Sequence, residues 1–247
     1  MTYGVVKCAL GWACWRTYVG RPEEDRDRID AMSMLGNCLF DANHHEEALT
    51  VQEAELSMER RLGTSERSIL VVQSNLACSY ERVGRLEEAL RMRREVYSGR
   101  LKLLGEDHPR TLLAANNYAE TLFDLQRFDE AKPMLRRMMP VARRVLGDND
   151  EDTIRIRWNY AEALYKGDGA TLDDLHEAVT TLEDAARISR RVLSNSETEG
   201  IEDALQDARA ARRSFLRERS SLIALAADRI GSRHDRTNIV YRVMPFV

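Results

Sequence analysis

Three asparagines, Asn75, Asn117 and Asn159, recur at an even spacing of 42 residues. An asparagine amide carries a donor and an acceptor together. It can therefore pair with both polar groups of an extended peptide backbone, or bond to a neighbour within its own fold. Other stretches imitate chemistry less well. Asp148-Asn149-Asp150-Glu151-Asp152 opens like a calcium loop, but Thr153 stands where the sixth-position glycine is needed and Asn159 where the bidentate glutamate belongs. An acidic helix start accounts for those carboxylates better. Gly167-Asp168-Gly169 begins like a phosphate loop but lacks a third glycine and the Gly-Lys-Ser/Thr ending. His44-His45-Glu46-Glu47 lacks the second histidine of a zinc-protease helix, and the 5 histidines are scattered. The 4 cysteines (Cys8, Cys14, Cys38, Cys78) form no Cys-x-x-Cys pair, so reduced thiols are expected. From these motifs we expect no catalytic residue, no metal and no cofactor.

The asparagines belong to a longer phase. Gly63, Gly105 and Gly147 are 42 residues apart, and each asparagine lies 12 residues after its glycine. Ala77, Ala119 and Ala161 follow at 14, and Ala89 and Ala131 at 26. Repetition of this kind marks stacked copies of one supersecondary unit. Leu76, Ala77 and Tyr80 recur as Tyr118, Ala119, Leu122 and as Tyr160, Ala161, Leu164, a one-sided stripe on a helix. The small residue lets a second helix close on the first, and Ala89, Ala131 or Ala178 is its opposite contact. Second helices are expected from about Glu87 to Leu104 and Glu130 to Leu146. Their basic ends (Arg60-Arg61, Lys102, Arg143-Arg144, Arg190-Arg191) complement the negative end of the helix dipole and are read as helix endings rather than ligand sites. Thr171 is expected to cap a helix with Asp174 three residues on.

This gives an all-α chain of antiparallel helix hairpins. Residues 1–23 read as an N-terminal capping helix or partial repeat, and residues 24–193 as four repeats (24–63, 64–105, 106–147, 148–193). Residues 194–221 read as a C-terminal capping helix and 222–247 as a tail, its end poorly ordered or strand-like. The apolar patch from Cys8 to Trp15 is too short for a signal peptide and is followed closely by Arg16. No apolar run approaches the ~18 residues of a membrane span. The 247 residues are 43% hydrophobic and 32% charged with a net charge of −4, so neither nucleic acid nor an anionic membrane is an expected partner.

The alanine pairs (Ala77/Ala89, Ala119/Ala131, Ala161/Ala178) resemble the tetratricopeptide repeat, whose usual period is ~34. The longer period, the run Leu104-Gly105-Glu106-Asp107-His108-Pro109-Arg110-Thr111-Leu112 and the following Asn116-Asn117-Tyr118-Ala119 resemble its kinesin-light-chain type. The likeness covers residues 30–193 well. It implies a right-handed α-solenoid whose first helices line a concave groove. That groove would present Asn75, Asn117 and Asn159, with Ser74, Asn116 and Trp158, then Cys78, Glu120 and Glu162, then Arg82 and Asp124. Sustained heptads, which would mark a motor subunit, are absent from the sequence.

The resemblance therefore implies a non-catalytic, cytoplasmic adaptor that binds a peptide segment or protein partner. In this reading the asparagines grip a ligand backbone; in the other they staple successive repeats. Trp158 is either a ligand anchor or packed on the adjacent repeat. Two further alternatives are a structural homodimer formed through the unmatched end helices and, more weakly, a regulatory piece of an enzyme complex.

Overall fold

In a computed structural model the described residues are 3–231, with side chains described from 6 to 223. They form ten helices: α1 (Tyr3–Tyr18), α2 (Arg26–Asp41), α3 (His45–Leu62), α4 (Glu66–Arg82), α5 (Leu86–Leu104), α6 (Pro109–Asp124), α7 (Phe128–Val145), α8 (Glu151–Lys166), α9 (Leu172–Val192) and α10 (Asn195–Gly231). No strand occurs among the described residues. The chain divides into two compact units, one ending at Tyr160 and one beginning at Ala161, so the boundary falls inside α8. In the first unit each helix from α1 to α7 packs on the next, and in the second α9 packs on α10. α10 runs unbroken from the expected cap into the expected tail. The rest of that tail lies outside the described residues.

Local chemistry explains where the helices start and stop. Asp25 caps α2, Ser65 caps α4, and the Nδ1 atom of His108 accepts from the Arg110 N–H ahead of α6, with Pro109 in its first turn. Asp150 accepts the Asp152 and Thr153 N–H groups at the head of α8, so one carboxylate of the calcium-like run is a helix cap. Thr171 and Asp174 form a reciprocal capping box on α9. The turns inside three hairpins place Asn43, Gly84 and Gln126 at φ between 57° and 78°. A left-handed residue there lets the next N–H reach back to close the helix end, as Arg85 N–H does to the Tyr80 carbonyl at 2.9 Å.

Small residues set the closeness of each hairpin. Ala77, Ala89, Ala119 and Ala131 are wholly buried, and so are Ala161 and Ala178 in the second unit. Around Ala77 and Ala89 gather Leu49, Leu56, Val72, Leu76, Tyr80 and Met92, drawn from α3, α4 and α5. The basic helix ends reach back to acids: Arg61 pairs with Glu23, Arg144 with Asp107, and Arg60 with Glu95 at 3.5 Å. These pairs are solvent-exposed, so each contributes at most ~1 kcal/mol.

One core position breaks the pattern. Seven residues after the second-helix alanine, α5 has Val96 and α7 has Met138, both buried, but α3 has Glu55 at 2% exposure. Ser33 donates to its carboxylate. Burial pushes the Glu55 pKa up to about 7, and Glu59 and Asp30 add to the effect. The folded chain thus favours the protonated acid more than the unfolded chain does. The resulting stability is full below about pH 4 and lost as pH rises toward 7, a span on the order of 3 kcal/mol. Glu55→Met should remove it. Urea unfolding at pH 5 and pH 8 should show the native chain losing stability relative to the variant, and parallel pH profiles would contradict the assignment.

Candidate functional site

On α4, Arg67, Val71, Asn75, Cys78 and Arg82 lie three or four residues apart and therefore share one face of the helix. The equivalent stripe of α6 is Leu113, Asn117, Glu120 and Asp124, preceded by Arg110, one place out of phase with Arg67. All ten residues are half-buried or exposed, and the opposite sides of both helices are buried against their neighbours. The apolar members Val71 and Leu113 keep 48% and 38% of their surface open.

The asparagines of the expected ladder are not alike. Asn75 Nδ2 donates to Asn37 Oδ1 at 3.1 Å, one copy earlier. Asn159 Nδ2 donates to Asn116 Oδ1 at 2.8 Å, and Asn116 Nδ2 donates to Glu120 Oε1 at 2.8 Å. Glu120 also accepts from Asn159. Asn116 and Asn159 are buried, at 3% and 7% exposure. The Asn117 side chain is half-buried and forms no hydrogen bond among the described residues; its backbone carbonyl accepts from Thr121 Oγ1 at 3.0 Å. The phase supplies a reason. Asn37, Cys78 and Glu120 are equivalent positions, and the first and third offer an oxygen to the asparagine of the next copy. The second offers only a sulfur, which accepts from Arg93 Nη2 at 3.3 Å.

Below this face lies a charged group that the sequence does not reveal. Arg93, at 6% exposure, donates to Glu81 through Nε at 3.0 Å and Nη2 at 2.7 Å. Glu81 Oε1 also accepts from Thr121 Oγ1 at 2.7 Å. Glu120 reaches solvent on one side, yet burial by its neighbours raises its pKa, and the bonds from Asn159 and Asn116 pull it partly back. Asp124 is raised by burial and then by Glu81. Arg82 is exposed. Trp158 is half-buried, and its enclosed indole N–H donates to no acceptor among the described residues. Glu162 falls in the second unit, where its carboxylate accepts from Lys166 Nζ at 2.7 Å.

At the other end of the stripe is a cleft of about 390 Å³, lined by Arg67, Val71, Arg100, Leu103, Arg110 and Glu66 among others. The three arginines pair with no carboxylate among the described residues; Arg100 Nη1 donates to the Arg110 carbonyl at 3.1 Å. Burial lowers the Arg100 pKa, and Arg110 and Arg93 lower it further. Leu103, 45% exposed, adds an apolar wall. The repeat phase singles out Arg82 but none of these three arginines. Arg67 and Arg110 lie about two turns before the asparagines, where the phase has no marker.

The family model of the tetratricopeptide repeat matches residues 68–137 and 111–169. Together the two matches span residues 68–169. Among solved structures, BtubC (BKLC) from P. vanneervenii is similar at 15% identity and a TM-score of 0.62, over 90% of this chain and 93% of that one. A Podosopora anserina putative kinesin light chain with nearly identical repeats is similar at 20% identity and a TM-score of 0.62, over 86% of this chain and all of the other. A second crystal structure of that protein, carrying one substitution, gives 19% and 0.64, over 76% and 87%. The helix hairpins of this chain thus share the fold of these tetratricopeptide-like repeat structures. No curated protein matches the sequence.

The bonding pattern separates the asparagines by experiment. Asn159→Ala strips Asn116 and Glu120 of a buried partner and should destabilise by about 1–3 kcal/mol. Asn117→Ala should stay within about 0.5 kcal/mol of the native chain. Chemical denaturation of both variants checks this, and equal losses would contradict it.

Proposed function

We propose that this chain is a non-catalytic interaction module that takes an extended segment of a partner protein along the shared face of α4 and α6. The tetratricopeptide fold is a protein-interaction fold, generally without catalysis, and that supports the coarse reading. The observation that carries the finer one is the cleft at Arg67, Arg100 and Arg110. Three guanidiniums lie there without carboxylate partners among the described residues, beside exposed Val71 and Leu103. Unmatched positive charge next to open apolar surface suits a segment with acidic residues flanking an apolar side chain.

Asn117 lies two turns further along the α6 stripe and keeps its amide free for the ligand backbone. Asn75, Asn116 and Asn159 hold the wall in place instead. In this reading Glu120, Asp124, Arg82 and Cys78 border the far end of the segment. Trp158 supports the wall rather than anchoring the ligand, because its N–H is enclosed. The chain's organisation, on the same reading, is a partial repeat, four hairpin repeats, a capping helix and a tail, serving a cytoplasmic adaptor.

Fluorescence anisotropy with labelled peptides carrying Asp or Glu around a Leu or Trp tests the proposal. Binding should weaken at least tenfold in Arg67→Glu/Arg110→Glu, about three- to tenfold in Asn117→Ala, and progressively with salt. Unchanged affinity in the charge-reversal variant would overturn it.

A second reading has its own observation. α1 leaves Val6, Leu10 and Trp12 exposed at 45%, 62% and 41%, and Val6 and Leu10, four residues apart, share an apolar side suited to self-association. Sedimentation at micromolar concentration should then detect a dimer that Leu10→Glu dissolves, and a monomeric native chain removes this reading.

A further inference from the structure

Three of the chain's cysteines lie on α1 and α2, the two helices that pack together at Gly11. Gly11 of α1 lies so close to α2 that a Cβ atom on it would sit 3.0 Å from Cys38 Cβ and 3.3 Å from Cys38 Sγ. Cys8 and Cys14 lie three residues before and after Gly11, just under one turn in either direction. The Cys38 sulfur is thus poised between two thiols on the facing helix. Cys8 is packed against Leu35, Leu39 and Ala48, the small core that joins α1 to α2 and α3. All three thiols are partly accessible. Burial raises the Cys38 pKa, Asp41 adds to this, Lys7 opposes it, and the Cys8 and Cys14 thiols raise it a little more, Cys8 the more strongly.

We propose that Cys8 and Cys38 form an oxidation-sensitive latch that closes into an intramolecular disulfide and ties the terminal helix α1 to α2. Cys8 lies about 5 Å along α1 from Gly11, on the side where Lys7 Nζ meets Asp41 of α2 at 2.6 Å, so it faces the Cys38 end of α2; a disulfide there needs Cα atoms roughly 4.4–6.8 Å apart. A hydroperoxide is the oxidant. The Cys8 thiolate attacks hydrogen peroxide, the O–O bond breaks, and Cys8 becomes a sulfenic acid while the leaving hydroxide takes up the proton that the Cys8 thiol had lost and departs as water. The Cys38 sulfur then attacks the Cys8 sulfur, the S–O bond breaks, and hydroxide leaves with the Cys38 proton as a second water. Two thiols lose two electrons and one peroxide gains them.

This order suits the site, because a thiol with a raised pKa is a poor first nucleophile but serves as the resolving group once its neighbour is oxidised. The closed latch joins elements 30 residues apart in sequence and removes the freedom of α1 to lift off its neighbour. Cys78 lies apart from the group, with its sulfur accepting from Arg93.

The test treats the full chain with hydrogen peroxide, blocks remaining thiols with iodoacetamide, and maps tryptic peptides without reduction. The expected product is monomeric, with the Cys38 peptide joined to the Cys8–Arg16 peptide and Cys78 alkylated. The link should persist in Cys14→Ser and vanish in Cys8→Ser, with helicity by circular dichroism unchanged in both. Trypsin should cut α1 at Arg16 more slowly in the oxidised chain than after reduction. Alkylated Cys38 after peroxide, a link that survives in Cys8→Ser, or a bridge between chains would each overturn the proposal.

Discussion

The close crossing of paired helices at alanine is the constraint on which the rest of the first unit depends. Ala77 and Ala89 share one core cluster, and Ala119 and Ala131 are wholly buried at the same positions of the next hairpin, so each pair leaves room for a third helix to pack on it. A longer side chain at either contact would hold the helices apart, and interiors packed near crystal density have little slack to absorb it. Because the crossing recurs every 42 residues, it also fixes the rotation of every first helix. Residues one and two turns before Asn75 and Asn117 come round to the same open face as those asparagines. The proposed interaction surface is thus a consequence of core geometry.

That surface is unequal along its length. Arginines crowd one end of the α4 and α6 stripes, open apolar side chains follow, then amides, then carboxylates whose protons are held more tightly than usual. The amides differ through a single phase position. Where it is Asn37 or Glu120, the next asparagine is bound; where it is Cys78, the Asn117 side chain has no partner among the described residues. The stapled reading therefore holds for Asn75 and Asn159, and the proposed ligand-facing reading is confined to Asn117.

Much of the fold was legible because stacking enforces periodicity. The glycines, alanines and asparagines mark hairpin ends, crossings and faces, and the helices begin and end close to where capping residues place them. What the phase does not carry is which side chains meet between copies. Asn159 bonds to Asn116 and Glu120 rather than to its counterpart Asn117, since adjacent helices are offset along their axes as well as rotated. Arg93 lies among the charged residues Arg91, Arg94 and Glu95 and reads as surface, but it lies four residues after Ala89 and is buried. Glu55 likewise hides a core position behind a polar letter. Both are found only by asking which residues sit at fixed distances from the crossing alanine, a comparison the alanines themselves make available. The arginine cleft draws on three helices at once, and no spacing within one helix announces it.

The most direct measurement of the central claim, that the open face of α4 and α6 is where partners bind, is site-specific photo-crosslinking in cells. A photoreactive residue at Val71 or Leu113 should join covalently to one and the same partner segment, and one at the exposed second-helix position Arg94 should not. Equal capture from Arg94, or capture there alone, would contradict the account.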